Sequence, residues 1–177
     1  YLVCTLDKLI DGKRYLNQSL AIFKLTPDFL AIDRKIYEGF DNVNGDKSVY
    51  PRHHTGREAS HIIKVNDVYY WFSSGLQGWN SSQTKYATST SLSGPWSELK
   101  VLLTDPISND SFNTQHDFVI LIVGTEATTY VYVGDRYSQH HGKEVGRNVF
   151  LPVCWEDGGP LLKWRKTWTI DIATGRY

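Results

Sequence analysis

The chain has 177 residues, with 19 Lys+Arg against 19 Asp+Glu and a formal net charge of zero. That length suits one domain with a sizeable core, and the charge balance excludes a general nucleic-acid or anionic-membrane binder. Aromatic residues make up 14%, with 6 Trp and 11 Tyr, which fits a β-rich core or a sugar-binding surface. The longest clean apolar run, 118–123, is far too short to span a bilayer. Two cysteines occur, Cys4 and Cys154. They either pair or stay as buried small hydrophobes, and both options stand.

From the N-terminus the chain reads as short strands. YLVCT from Tyr1 is the first, and LAIFKL from Leu20 the second. A turn at Thr26, Pro27 and Asp28 then predicts a hairpin of 21–25 with 29–32, the latter part of FLAID. Residues 61–65 and 68–72 are β-branched or aromatic runs around Asn66 and Asp67, a two-residue hairpin turn. KYATSTS from Lys85 and PWSELK from Pro95 continue the series. A further hairpin joins 118–123 to 130–133 around 124–129, and NVFLPVCW from Asn148 and WRKTWTID from Trp164 close it. No stretch keeps a 3.6-residue apolar period with capping signals, so the fold class is all-β.

These strands repeat approximately. YLVCT, YYWFSS and YVYVGD each start a unit. LAIFKL, KYATSTS and NVFLPVCW follow, and FLAID, PWSELK and WRKTWTID close the three units. Units of this kind predict β-propeller blades, and about four to eight blades close a propeller. Residues 1–177 are therefore expected to be a partial β-propeller domain of about three blades. The missing blades are expected upstream of Tyr1 or from another chain, because Tyr1, Leu2 and Val3 already read as mid-blade strand.

Glu58 precedes the 61–72 hairpin, and Gly78 and Trp79 follow it. A carboxylic acid on a strand with an aromatic plate on the neighbouring loop suits glycosidic cleavage, because the acid protonates the leaving oxygen and the plate stacks on a pyranose. The bland alternative for Glu58 is a solvated surface charge. Asp117 lies two residues beyond Gln115, on the same face of a regular strand. Arg136 ends a strong strand, where it could meet sugar hydroxyls or a carboxylate, while Asp135 holds Arg136 or a loop backbone. His53 with His54 and His140 with His141 suggest metal ligands, but neighbours in an extended strand point to opposite faces. No zinc spacing or phosphate loop occurs, and neither metal nor cofactor is expected. N-x-[ST] triplets at Asn17, Asn80 and Asn109 permit secretion. A glycan at Asn80 would crowd Trp79, so Asn80 is expected unmodified or turned outward.

Ordered motifs resemble glycoside hydrolase family 43, in its exo-β-1,3-galactanase-like branch. Arg57, Glu58 and Ala59 resemble the Glu-Ala-Pro segment that bears the general acid, with Ser60 in place of Pro. Val68, Tyr69, Tyr70 and Trp71 with Ser74 and Gly75 resemble its hairpin, and Gly78 and Trp79 its substrate-stacking pair. The run Ser93, Gly94, Pro95, Trp96 resembles a blade end. Asn113, Thr114 and Gln115 resemble the segment with Gln in place of the usual carboxylate base. Gly134, Asp135, Arg136 and Tyr137 resemble Gly-Asp-Arg-Trp, and Phe150, Leu151 and Pro152 resemble Trp-Leu-Pro.

The resemblance implies a five-bladed propeller of which this chain covers about three blades, and a secreted, inverting, exo-acting hydrolase of plant galactan or a related polysaccharide. It implies Glu58 as general acid, with a raised pKa and Arg57 pointing away. Gln115 would orient the attacking water or act as an imidic tautomer. Trp79, Gly78, Asn17, Arg136 and Tyr137 would bind sugar. Glu58 and Gln115 are expected on one central funnel, with about 6.5–9.5 Å between acid and base positions in an inverting site. The rival readings are a non-catalytic carbohydrate-binding propeller or inactive fragment, and a protein-interaction propeller, whose Trp-Asp or double-Gly signatures are missing.

Overall fold

The computed structural model describes residues 1–40, 56–137, 146–156 and 159–177. His53, His54, His140 and His141 lie outside them. Every helix or strand among the described residues is a β-strand, and they divide into two compact units.

The first unit comprises Tyr1–Gly78 and Lys85–Lys100. Strands β1 (Leu2–Ile10), β2 (Lys13–Leu25) and β3 (Ile32–Gly39) form an antiparallel sheet in sequence order. YLVCT and LAIFKL do pair, with Leu2 opposite Phe23. Both strands run on to a tight turn at Asp11 and Gly12, whose φ values of 49° and 74° suit the right-handed twist of a hairpin. The expected partner of 21–25 is displaced, because β3 starts only at Ile32 and Phe29 sits in the turn with φ 62°. Local side-chain bonds outcompete the strand there. The Asp28 carboxylate accepts the Leu30 amide at 3.2 Å, and Thr26 Oγ1 accepts the Ala31 amide at 3.1 Å.

The second sheet of this unit is β4 (Arg57–Val65), β5 (Val68–Gly75), β6 (Lys85–Ser89) and the short β7 (Lys100–Val101), again in sequence order. Val65 faces Val68 across the Asn66 turn, as expected. PWSELK, however, is strand only at Lys100. Ser97 bonds Thr88 with its amide at 2.9 Å and its hydroxyl at 3.0 Å, tying the segment to β6 without a ladder. Its Trp96 joins the core instead. Leu20, Ile22 and Trp71 are fully buried there, and Val3, Ile36, Ile62 and Leu92 pack around them. The rings of Tyr37, Phe40 and Trp96 meet Trp71 at 5.9, 5.6 and 5.1 Å, in steep edge-on geometry.

The second unit comprises Trp79–Thr84 and Val101–Tyr177. Its sheet has the order β8 (Leu103–Asp105), β12 (Gly159–Lys163), β11 (Arg147–Glu156), β10 (Thr128–Arg136), β9 (Gln115–Val123). The predicted β9–β10 hairpin forms, with Val123 opposite Thr128. WRKTWTID is not the closing strand. That place belongs to β12, which pairs antiparallel with β11 and parallel with β8. The Trp164 amide bonds Asp105 O at 2.8 Å, and the chain then leaves the sheet. Val131 and Val133 on β10 and Val149, Leu151 and Val153 on β11 are buried, and so are Tyr132 and Pro152 on the opposite face, so the middle of these two strands is covered on both sides. Cys4 and Cys154 are free thiols, and burial pushes the Cys4 thiol up.

Candidate active site

Glu58 sits near the start of β4, opposite Ser74. The next paired residue is His61 opposite Phe72, so Ala59 and Ser60 share one partner position and form a β-bulge. Ala59 takes φ 48°, a left-handed conformation costing about 1–3 kcal/mol for a non-glycine residue. Such a bulge re-aims the side chain beside it. It is pinned from both sides. The Ser74 hydroxyl donates to Glu58 O at 3.2 Å, and the Trp71 indole donates to Ser60 Oγ. Ser60, where the resembling motif has Pro, is thus the acceptor that fixes the central core tryptophan.

Arg57 is only 8% exposed. Its Nε donates to Ser73 Oγ at 3.1 Å, and a terminal nitrogen donates to Ser73 O. Burial brings its pKa down to about 10, with the Glu58 charge acting in the opposite direction. Arg57 is therefore held on Ser73, yet it still senses the neighbouring carboxylate. Just upstream, a Cβ on Gly56 would come within 2.3 Å of Asn17 O, so glycine alone allows β4 to enter against that backbone. Asn17 is itself left-handed, with φ 49°. Thr5 donates to its side-chain oxygen at 2.9 Å, and its amide bonds Asp7 at 2.9 Å. That amide, then the Arg14 guanidinium, holds the Asp7 carboxyl below the usual carboxylate range. Gly78, at φ 61°, ends this stretch of the unit.

In the second unit, Trp79 is 61% exposed and lies edge-on to Tyr137 with ring centroids 5.1 Å apart. The Tyr137 hydroxyl donates to Asp135 at 3.3 Å, and Asn148 donates to the other carboxylate oxygen. Asp135 pairs across the ladder with Gln115, which is nine-tenths buried. Asp117 occupies the extra position of a bulge, since Phe118 pairs with Val133 and His116 with Gly134. It therefore leaves the buried face of Gln115 and is exposed, contrary to the shared face expected of a regular strand. Burial first, and then the Asp135 charge, pushes its carboxyl above the ordinary aspartate value.

A network of buried hydroxyls holds these residues. Tyr132 is fully buried, and its hydroxyl bonds Thr84 Oγ1 at 3.1 Å and Thr114 Oγ1 at 2.8 Å. The Thr84 amide donates to Ser111 Oγ at 2.9 Å, and the Ser82 amide to Thr114 O at 3.1 Å. The Trp79 loop is thus fastened next to Gln115. Ser111, Phe112 and Asn113 are all left-handed, with φ 53°, 65° and 61°. Asp110 supports this turn by accepting the Asn113 amide at 2.9 Å. Gly134 is demanded by close approach, because a Cβ there would stand 2.7 Å from Thr114 and 2.8 Å from the Tyr132 ring. Sequence reasoning passed over this network, because isolated Ser and Thr in loops carry no periodic signal.

Among the described residues, no group of three or more His, Cys, Asp or Glu could hold a metal ion. No curated protein sequence matches the chain. Its fold is similar to an exo-β-1,3-galactanase from Clostridium thermocellum, with TM-score 0.76 and 30% identity, covering 97% of this chain and 36% of that one. A family 43 β-1,3-galactosidase gives TM-score 0.69 and 26% identity over 93% of this chain and 34% of that one. An exo-β-1,3-galactanase from Phanerochaete chrysosporium gives TM-score 0.71 at 20% identity, over 97% of this chain and 38% of that one. The chain thus spans about a third of the length of these structures. They are five-bladed β-propellers, and the three sheets among the described residues correspond to an incomplete one. The sequence profile described as Glycosyl hydrolases family 43 matches residues 7–160, and the chain belongs to that family.

Proposed function

We propose that the protein carrying this chain is an inverting, exo-acting glycoside hydrolase that releases galactose from β-1,3-galactan. The observation that carries this reading is Glu58, set on a pinned bulge inside the segment matched to family 43. Glu58, as the acid, donates its proton to the glycosidic oxygen as the bond from that oxygen to C1 breaks. Water attacks C1 from the opposite face. Gln115 orients that water by accepting a hydrogen bond at its side-chain oxygen. As the C1–O bond forms, the water's second proton passes to solvent, and Glu58 regains its proton from solvent after the leaving group departs. Trp79 offers its exposed face to the pyranose, backed by Tyr137, with Gly78 and Asn17 completing the sugar contacts.

A polysaccharide does not cross a cell membrane intact, so we extend the proposal to secretion and polysaccharide breakdown. The remaining blades are supplied by further sequence of the same protein or by a second chain. The partial coverage of the similar structures supports this, as do Leu121 and Val123 on edge strand β9, which are 52% and 69% exposed.

The test is incubation of the full protein with β-1,3-galactan, following the released sugar by NMR. Galactose appearing first as the α-anomer supports the proposal. Retention of the β-anomer overturns inversion, and binding without any turnover favours the non-catalytic carbohydrate-binding reading.

A further inference from the structure

The left-handed turn at Ser111, Phe112 and Asn113 leads through Thr114 directly into Gln115, and the same turn anchors the Trp79 loop. Three successive non-glycine residues in this conformation need outside contacts to stay wound. Arg136 supplies one, donating from its terminal guanidinium nitrogen to Phe112 O at 2.6 Å. The guanidinium lies over the Trp164 ring at 5.3 Å, and the Phe112 ring meets the same indole at 5.3 Å. A charged donor on a carbonyl makes one of the stronger hydrogen bonds, and a planar stacked guanidinium loses little freedom in making it. Arg136 Nε is buried without a hydrogen-bond partner among the described residues. The side chain is placed to reach Phe112, at the expense of one of its own donors.

We propose that Arg136, backed by Trp164, is a positioning residue. It keeps the 111–113 turn wound and so sets both Gln115 and the Trp79 loop, rather than contacting sugar itself. Only the catalytic consequence rests on the glycosidase reading.

The experiment compares wild type, Arg136→Met and Arg136→Lys in the full protein, by amide hydrogen exchange and by kinetics on a β-1,3-linked galactose oligosaccharide. Arg136→Met should speed exchange at the Ser82, Thr84, Asn113 and Thr114 amides by roughly 10- to 100-fold, leaving Val131 and Val133 protected. Arg136→Lys keeps the charge without the planar stack and should restore only part of the protection. Turnover in Arg136→Met should fall about 10²-fold through kcat with KM little changed. That loss should largely vanish when Gln115 is already Ala, because the two act as one unit.

Unchanged exchange overturns the proposal whether or not the protein cleaves sugar. A loss confined to KM that adds fully to that of Gln115→Ala also overturns it, as the mark of a direct sugar contact. A wild type without turnover sinks the glycosidase reading, and exchange alone then decides the positioning role. If Arg136→Met fails to fold, Trp164→Leu takes its place, with Phe112→Ala, which removes the ring contact alone, as its control. Trp164→Leu removes the stack and the Phe112 ring contact but leaves Arg136 its bond to Phe112 O. The same amides should then exchange faster by a smaller factor, and unchanged exchange there overturns the proposal.

Discussion

The two units hold their candidate residues by opposite physical means. In the first, Glu58 stands on a bulge whose neighbour Ser60 is tied to Trp71, and Trp71 is gripped by an apolar cluster of Leu20, Ile22, Tyr37, Phe40 and Trp96. In the second, Gln115 and Trp79 depend on directional bonds among Thr84, Ser111, Thr114 and Tyr132. Apolar packing draws its energy from area and volume, spread over many weak contacts. A buried hydroxyl network draws it from a few bonds, each costly to leave unmade. The first arrangement anchors one acid firmly. The second can place two side chains from distant parts of the chain in register.

The largest effect expected is on turnover. Glu58→Gln in the full protein should lower kcat on galactan by ~10²–10⁴-fold, while sugar binding stays largely intact. Aryl galactosides with very good leaving groups should lose far less, since they need little protonation. Equal losses on both substrates would remove Glu58 from the acid role.

Stability should separate the two cores. Trp71→Ala empties the centre of the apolar cluster and frees Ser60, and should cost about 3–5 kcal/mol in denaturant unfolding. Tyr132→Phe keeps the ring but strands Thr84 and Thr114, and should cost about 1–3 kcal/mol. The ratio of turnover loss to stability loss should nevertheless be higher for Tyr132→Phe, because its hydroxyl orders the segment leading into Gln115. A similar ratio for both variants would mean that the network stabilises without positioning.

The sequence was legible where one local rule acted alone between two apolar runs. Asn66 and Asp67 marked their hairpin, which forms with Val65 opposite Val68, while Glu58 and Gln115 are assigned only through ordered motifs. The Asp11 and Gly12 turn carried an equally strong local signal that a search centred on apolar runs overlooks. Competing interactions hid the rest. Side-chain bonds of Thr26 and Asp28 kept Phe29 out of β3, although its neighbours favour a strand. WRKTWTID has strand propensity, but β8 already pairs with β12 along that edge. Thr84 and Tyr132 lie 48 residues apart, and no periodicity links a loop threonine to a core tyrosine.

The smallest effect should come from Asp117, at the bulge in β9. Its carboxyl is pushed up by burial and then by the Asp135 charge. A carboxyl raised in the folded state contributes stability that is fully present below its unfolded pKa of about 3.9. That contribution is lost as pH climbs through the raised value. Asp117→Asn should therefore match wild type near pH 3 and be the more stable of the two above the carboxylate range. The margin should be modest, because Asp117 is exposed and solvent screens the pair. Salt should shrink it further. Denaturant midpoints at pH about 3 and pH about 7 decide the matter. A variant less stable than wild type at neutral pH would show that the charged form of Asp117 is stabilised in the fold. The bulge in β9 would then hold a favourable contact for that charge, where the Asp135 charge gives repulsion.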